Sequence, residues 1–232
     1  MKTSNKILLG VFLATLLLTT TINLIVYAKY KRGDYVPFER KEEQLTSVNL
    51  PAAKYVSITA LCRVELLNSA TPGYEVRKGQ EKGITYRMVG DTLVLLDNTT
   101  TPNETEQGEC NSQLLKLYLP ATTEVYAHDA DIRIDGKTDS TQAPSYTIYL
   151  DKRSFLHTNN NDDDNRYINQ LLLSGNDTRL ELDEHIIVNN LNLKLVNDSR
   201  FDDQRGVIRS LTLDVDNNST INLTGNSIKN IK

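Results

Sequence analysis

The sequence predicts an all-β fold, a parallel β-helix or β-solenoid of about 20 residues per coil, preceded by an N-terminal transmembrane helix. Three observations lead there. An apolar triplet recurs at a fixed step of 20 residues in the C-terminal half. Short alternating segments, bounded by Asn, Asp and Gly, fill most of the remainder. A charge-free run occupies the N-terminus.

Composition sets the outer limits. The chain has 232 residues, 39 % hydrophobic and 24 % charged, which is the balance of a folded protein and not of a disordered one. Its formal net charge is −4, and no basic block occurs outside the membrane-proximal stretch. Nucleic acid is excluded as a partner class, because phosphate binding needs clustered Lys and Arg.

The N-terminal element comes first. Met1 to Lys6 is polar, and Ile7 to Ala28 carries no charge. As a helix that run spans roughly 33 Å at about 1.5 Å per residue, enough to cross a bilayer. Lys29, Lys31 and Arg32 follow and suit an interface. Two readings stand: an uncleaved signal anchor, or a signal peptide cut after Val26-Tyr27-Ala28. The run exceeds the roughly 7–15 apolar residues of a signal peptide, which favours the anchor. With no Cys near the end of the run, a lipoprotein is not indicated. The expected layout is an anchor at 1–33, a juxtamembrane linker at 34–48 and an extracytoplasmic β-solenoid at 49–232. The expected location is the membrane, with the domain in the periplasm or outside the cell. Cleavage after Ala28 would make it secreted.

Strand signals begin at Tyr55. Val56, Ile58 and Ala60 alternate with Ser57 and Thr59, and Cys62, Val64 and Leu66 alternate with Arg63 and Glu65. Tyr74, Val76, Ile84, Tyr86 and Met88 continue the pattern, with Gly73, Gly79, Gly83 and Gly90 at expected turns. Thr92 to Leu96 is a further strand, Thr99 to Ser112 a polar loop, and Lys116 to Pro120 a strand ended by proline. No helical stripe follows the N-terminal run.

The repeat is the most informative feature. Ile168-x-x-Leu171-x-Leu173 recurs as Val188-x-x-Leu191-x-Leu193 and as Ile208-x-x-Leu211-x-Leu213. Polar corners follow each copy, at Asn176-Asp177-Thr178, Asn197-Asp198-Ser199 and Asn217-Asn218-Ser219. A second apolar pair follows two of them, Leu180/Leu182 and Ile221/Leu223, whereas the middle copy offers only Phe201. Weaker coils precede these, at Val125/Ala127, Ile132/Ile134 and Tyr146/Ile148/Leu150. One such unit cannot bury its apolar face alone, but stacked coils put Leu on Leu. Coils stack at about 4.8 Å, so equivalent corner residues form side-chain ladders. The alternatives are an evenly spaced β-sandwich and a leucine-rich repeat. Against the latter, Val196 and Asp216 stand where its Asn would recur.

The order of segments resembles a known family. Val56 to Leu66, then Tyr74-Glu-Val-Arg, then Asp91-Thr-Leu-Val-Leu, then Leu117-Tyr-Leu-Pro, followed by a solenoid with polar corners, is similar to the bacterial auto-transporter adhesin, head GIN domain family. The resemblance implies an exported right-handed parallel β-helix-like domain behind an N-terminal signal or anchor, and it fixes no biochemical function. It covers about residues 50–228. The chain departs from the pattern at Tyr126-Ala-His-Asp-Ala, where a Gly-Ser-type turn is expected.

No catalytic motif is present. His128, His157 and His185 are far apart and fit none of the metalloprotease patterns, and each reads as a turn histidine. Asp129, Asp131 and Asp135 flank Arg133 on the outward side of a strand. Paired carboxylates can cleave a glycosidic bond, but an exposed Asp–Arg–Asp row has the same composition. Asp162, Asp163 and Asp164 supply oxygen ligands suited to calcium without the glycine and spacing of a calcium loop, and a polar insertion between coils accounts for them equally. Cys62 and Cys110 are the only cysteines, either one disulfide or two buried thiols. No cofactor is expected. The expected function is a non-enzymatic envelope or surface binding module, contacting the membrane through its anchor and a glycan or envelope protein through its faces. A carbohydrate-active β-helix enzyme and a structural subunit of an envelope complex are the alternatives.

Overall fold

Leu171, Leu191 and Leu211 lie side by side on neighbouring parallel strands, as do Leu173, Leu193 and Leu213. The 20-residue step is therefore one turn of a β-solenoid. The computed structural model describes residues 3–32, 45–79, 83–97, 115–158 and 164–228. Two compact units result, Met1–Glu43 and Gln44–Lys232.

The first unit holds helix α1, Thr3–Arg32. Its apolar segment Leu8–Lys29 is long and hydrophobic enough to cross a membrane, and none of it is buried within the protein. Thr15, Thr19, Thr20 and Thr21 turn their hydroxyls back onto carbonyls three or four residues earlier. That bonding hides their polarity within the helix.

The second unit is built from two sheets whose inward columns form one core. In chain order the strands are β1 (Leu45–Asn49), β2 (Tyr55–Thr59), β3 (Cys62–Asn68), β4 (Gly73–Arg77), β5 (Ile84–Val89) and β6 (Thr92–Asp97). Then come β7 (Leu115–Leu119), β8 (Glu124–His128), β9 (Asp131–Ile134), β10 (Ser145–Asp151), β11 (Phe155–Thr158) and β12 (Arg166–Asn176). The last are β13 (Arg179–Glu181), β14 (Ile186–Val196), β15 (Arg200–Asp202), β16 (Val207–Ile208), β17 (Leu211–Val215) and β18 (Thr220–Asn222), followed by the short helix α2 (Gly225–Ile228). One sheet runs β16-β14-β12-β10-β8-β2-β6-β5, with β17 also on β14. The other runs β1-β4-β7-β3-β9-β11-β13-β15-β18.

The chain does not wind from one end to the other. Its first coil, β2 and β3, sits inside the stack, between β6 and β8 in one sheet and between β7 and β9 in the other. Strands β4 to β7 build outward on one side, and β8 resumes on the opposite side. The outer side closes with antiparallel pairs, β5 on β6 and β1 on β4 on β7. The 20-residue repeat holds only for the last coils. Upstream, Ser145 pairs with Gln170, a step of 25, and Thr147 with Glu124, a step of 23.

Alternation buries every second side chain. One column runs Leu93, Val56, Val125, Ile148, Leu173 and Leu193, all buried. In the opposite sheet Leu115, Val64, Ile132, Leu156, Leu180 and Phe201 do the same, so Phe201 completes the middle copy's second strand. Each full burial contributes about 1.5–3 kcal/mol.

The corners are ladders, as their composition predicts. Asn176 Nδ2 donates to Asp151 Oδ1 at 2.9 Å, and Asn197 Nδ2 donates to Asn176 Oδ1 at 2.7 Å. The Asn197 amide then donates to Asp216 Oδ2 at 2.8 Å. Asp129, Lys152, Arg153, Asp177, Asn197 and Asp198 take left-handed backbone here, and Asn and Asp tolerate it best. Beneath them lie the buried hydroxyls of Ser154, Thr178 and Ser199. Ser199 Oγ donates to Val196 O at 2.7 Å.

Gly175 breaks the inward column between Leu150 and Leu195. A Cβ there would collide with Thr178 Oγ1 and lie 3.1 Å from Leu195 Cδ2. The leucine that the repeat invites at this position is therefore disallowed by the corner. Gly175→Ala is expected to destabilise the domain by about 1–3 kcal/mol through overpacking. Urea unfolding would read this as a lower midpoint with an unchanged slope.

Candidate functional site

Because the inward side chains of the inner coils are consumed by the core, recognition by the solenoid belongs to its two outward faces, its corners and its edge strands. On the first sheet the outward row Ser57, Tyr126, Tyr149, Ser174, Lys194 and Asp214 is in register. Tyr126 and Tyr149 stack with ring centroids 4.5 Å apart and planes 11° apart. Tyr55 meets Tyr126 edge-on at 6.0 Å, and Lys54 Nζ lies 4.9 Å from the Tyr55 ring centre. The Tyr126 hydroxyl donates to Glu124 Oε2 at 3.2 Å. Partial burial, then that bond to Glu124, pushes the Tyr126 phenol up to about 12. Tyr126 remains 39 % exposed. Stacked rings on adjacent strands cover one another's faces and present edges and phenol oxygens to solvent. Parallel pairing puts Tyr126 and Tyr149 at equivalent positions of β8 and β10, whereas Tyr55, two residues before the matching Ser57 of β2, reaches Tyr126 diagonally.

The second sheet carries a charged row instead: Glu65, Arg133, His157, Glu181, Asp202 and Asn222. Arg179 Nε donates to Glu181 Oε1 at 2.6 Å, and Asn222 Nδ2 donates to Asp202 Oδ2 at 3.1 Å. Arg133 faces Glu65 in the row, and Arg179 and Arg200 stand beside the adjacent Glu181 and Asp202, so both signs of charge are mixed across this face.

The acidic trio around Arg133 does not converge. Asp129 sits at the corner and pairs with Arg153 at 3.7 Å. Asp131 faces His157 Nδ1 at 3.7 Å, and Asp135 binds Arg166 at 2.6 Å. Burial raises the Asp135 carboxyl above its ordinary value despite the opposing pull of Arg166. From Asp131 to Asp135 the extended backbone covers roughly 13 Å at about 3.3 Å per residue. Asp129 and Asp135 are each held by an arginine and Asp131 faces the imidazole of His157, so the three carboxylates do not aim at a common bond.

The histidines divide. His128 ends β8 with Nδ1 3.5 Å from Asp151, and His185 occupies a left-handed turn. His157 corrects the turn reading. It stands within strand β11, its ring edge-on to Phe155 at 4.8 Å and its side chain only 16 % exposed. Its position in the ladder, opposite Arg133 and Glu181, is set by inter-strand register and has no local sequence signal.

Among the described residues no group of three or more His, Cys, Asp or Glu could hold a metal ion. Asp164 is exposed in a bend, and Asp162 and Asp163 lie outside the described residues. So do Cys110 and the side chain of Cys62. The tyrosine row is the feature that motif reasoning missed. A tyrosine at the matching place of successive coils is its only signal, and the irregular step upstream of Leu171 obscures it.

Comparison with known proteins gives structural likeness only. No family model matches the chain, and no curated protein matches it. A solved structure described as a "putative adhesin" from Parabacteroides distasonis is similar at 10 % identity and a TM-score of 0.48, over 79 % of this chain and 75 % of that one. A "putative cell adhesion protein" from Clostridium sporogenes aligns at 9 % identity and a TM-score of 0.32, over 75 % and 99 %. A "putative lipid binding protein" from P. distasonis aligns at 7 % identity and a TM-score of 0.28, over 77 % and 95 %.

His157 has a measurable consequence. Burial lowers its pKa, an effect that Arg133 reinforces and Asp131, Asp183 and Glu181 oppose. The unfolded chain, with a pKa of about 6.5, then binds more protons at mildly acidic pH, so stability is full above that value and falls as pH drops through it. Thermal midpoints should decline from pH 7 to pH 5, and His157→Gln should flatten that slope. An unchanged slope in the variant would refute the assignment.

Proposed function

We propose that this protein is a membrane-anchored, non-enzymatic binding module with an adhesion-like role, whose solenoid contacts a glycan or an envelope protein. The Tyr55–Tyr126–Tyr149 cluster carries the reading. Tyrosine offers large, rigid contact area with a polar tip at low entropic cost, and it is enriched where proteins meet partners. A stacked sheet holds the row rigid before any ligand arrives, which reduces the ordering cost of binding. Lys54, Glu124 and Lys194 flank it with both signs of charge, as a polar rim would.

In this reading residues 1–33 anchor the chain, 34–48 link it, and 49–232 form the extracytoplasmic domain. The resemblance to the head GIN domain family, which implies an exported β-helix, agrees with that layout. The carbohydrate-active alternative loses ground because Asp129, Asp131 and Asp135 are each engaged separately.

The test uses the full chain in detergent, applied to immobilised glycans and to cell-wall polymer, with and without calcium. Saturable binding with the polymer intact is expected. Tyr126→Ala and Tyr149→Ala should each weaken it by tenfold or more, as a loss of about 1.4 kcal/mol implies. Released fragments would overturn the non-enzymatic reading. Calcium dependence would return attention to Asp162, Asp163 and Asp164.

A further inference from the structure

Among the described residues of 45–228, apart from Tyr126, the exposed large apolar side chains lie on edge strands: Leu45 on β1, Tyr86, Met88 and Val89 on β5, and Leu213 on β17. The C-terminal edge is the more telling. Leu173 and Leu193 are 1 % and 0 % exposed because a further coil closes over each, whereas Leu213, next in the same column, is 43 % exposed. Leu211, Val215, Ile221 and Leu223 are likewise only half-buried. Among the described residues, β17 pairs with β14 alone and β18 with β15 alone, so each presents a row of backbone donors and acceptors on its far side. Helix α2 packs beside β16, where Ser227 Oγ donates to Gly206 O at 3.3 Å. Natural edges are protected by Lys, Pro or a bulge within the strand. Strand β17, Leu-Thr-Leu-Asp-Val, has no Lys or Pro.

We propose that this edge is an interface with a second copy of the chain, in which β17 pairs antiparallel with β17 of the partner about a twofold axis through Leu213. The strand is self-complementary in that register. Leu211 falls opposite the other copy's Val215, Leu213 opposite Leu213, and Thr212 opposite Asp214. Inward side chains meet inward side chains, and no like charges oppose each other. Strand β18 obeys the same symmetry, since an axis through Ile221 sets Thr220 against Asn222. Strands β17 and β18 lie on the two faces of the same final coil, so one axis can cross both. The contact is isologous and closes with two copies. Pairing with β5 of another copy would be head-to-tail and open-ended, and the carboxylate it would offer to Arg87, Asp214, is already bound by Lys194 at 3.1 Å.

The experiment measures the protein mass of the full chain in detergent micelles by light scattering across a concentration series. Two copies are expected, and Leu213→Lys should raise the dissociation constant at least tenfold while leaving the circular dichroism spectrum in place. Leu213→Cys keeps the interface and tests its register. Opposed residues of an antiparallel pair have Cα atoms about 4.5–5.5 Å apart, within the span of roughly 4.4–6.8 Å that a disulfide bridges. Mild oxidation should therefore link the Leu213→Cys chains covalently. Neither Asp198→Cys, on the corner, nor the unaltered chain with its native cysteines should link to that extent. A monomer overturns the proposal, as does a mass that grows past two copies. So does a dimer indifferent to Leu213→Lys, which would place association elsewhere, for instance on α1. Failure of the Leu213→Cys chains to link would overturn the register.

Discussion

The parallel register between coils is the constraint on which the rest of this structure depends. A coil of short strands has an apolar inner face and two edges rich in unpaired backbone groups. Only the next coil can satisfy both at once. When it does, residues at equivalent positions become neighbours, whatever their distance along the chain. The leucine columns, the Asp151–Asn176–Asn197 ladder and the tyrosine row all follow from that one translation. The inner columns provide stability, the corner ladders hold the turn, and the outer rows are left for recognition.

The same constraint explains where departures are tolerated. Corner backbone in the left-handed region costs about 1–3 kcal/mol per residue for Lys152 and Arg153, which lack the local hydrogen bonding of Asn and Asp. The cost is offset because neighbouring coils bond to that backbone, as Lys152 N does to Asn176 O at 3.1 Å. Gly175 gives up a leucine so that Thr178 can sit beneath its corner. Corner geometry outranks side-chain volume there, since a misplaced corner would disturb every coil above it.

Electrostatics is arranged by the same stacking. His157, Arg133 and Glu181 share a row across three strands, and burial in that row, reinforced by Arg133 and opposed by Asp131 and Glu181, keeps His157 uncharged more readily than a free imidazole. Asp129, Asp131 and Asp135 are drawn to separate partners, Arg153, His157 and Arg166, by the same cross-strand geometry. A composition compatible with glycoside hydrolysis thereby becomes a set of lateral ties.

Much of the fold was legible in the amino-acid order alone. The triplets at 168, 188 and 208, the Asn and Asp corners and the 25-residue step from Tyr146 to Leu171 all reappear as paired strands. So does the charge-free run, as α1. These are local or periodic signals, and a period needs no knowledge of space to be read. Tertiary structure alone decided that β2 and β3 lie inside the stack, that His157 belongs to a strand and that three tyrosines separated by up to 94 residues, from Tyr55 to Tyr149, meet on one face. The reason is physical. Pairing energy is nearly the same for any apolar coil of matching length, so the sequence declares which segments are coils but not the order in which they stack. That order is settled only when the whole set of edges and columns must be closed together.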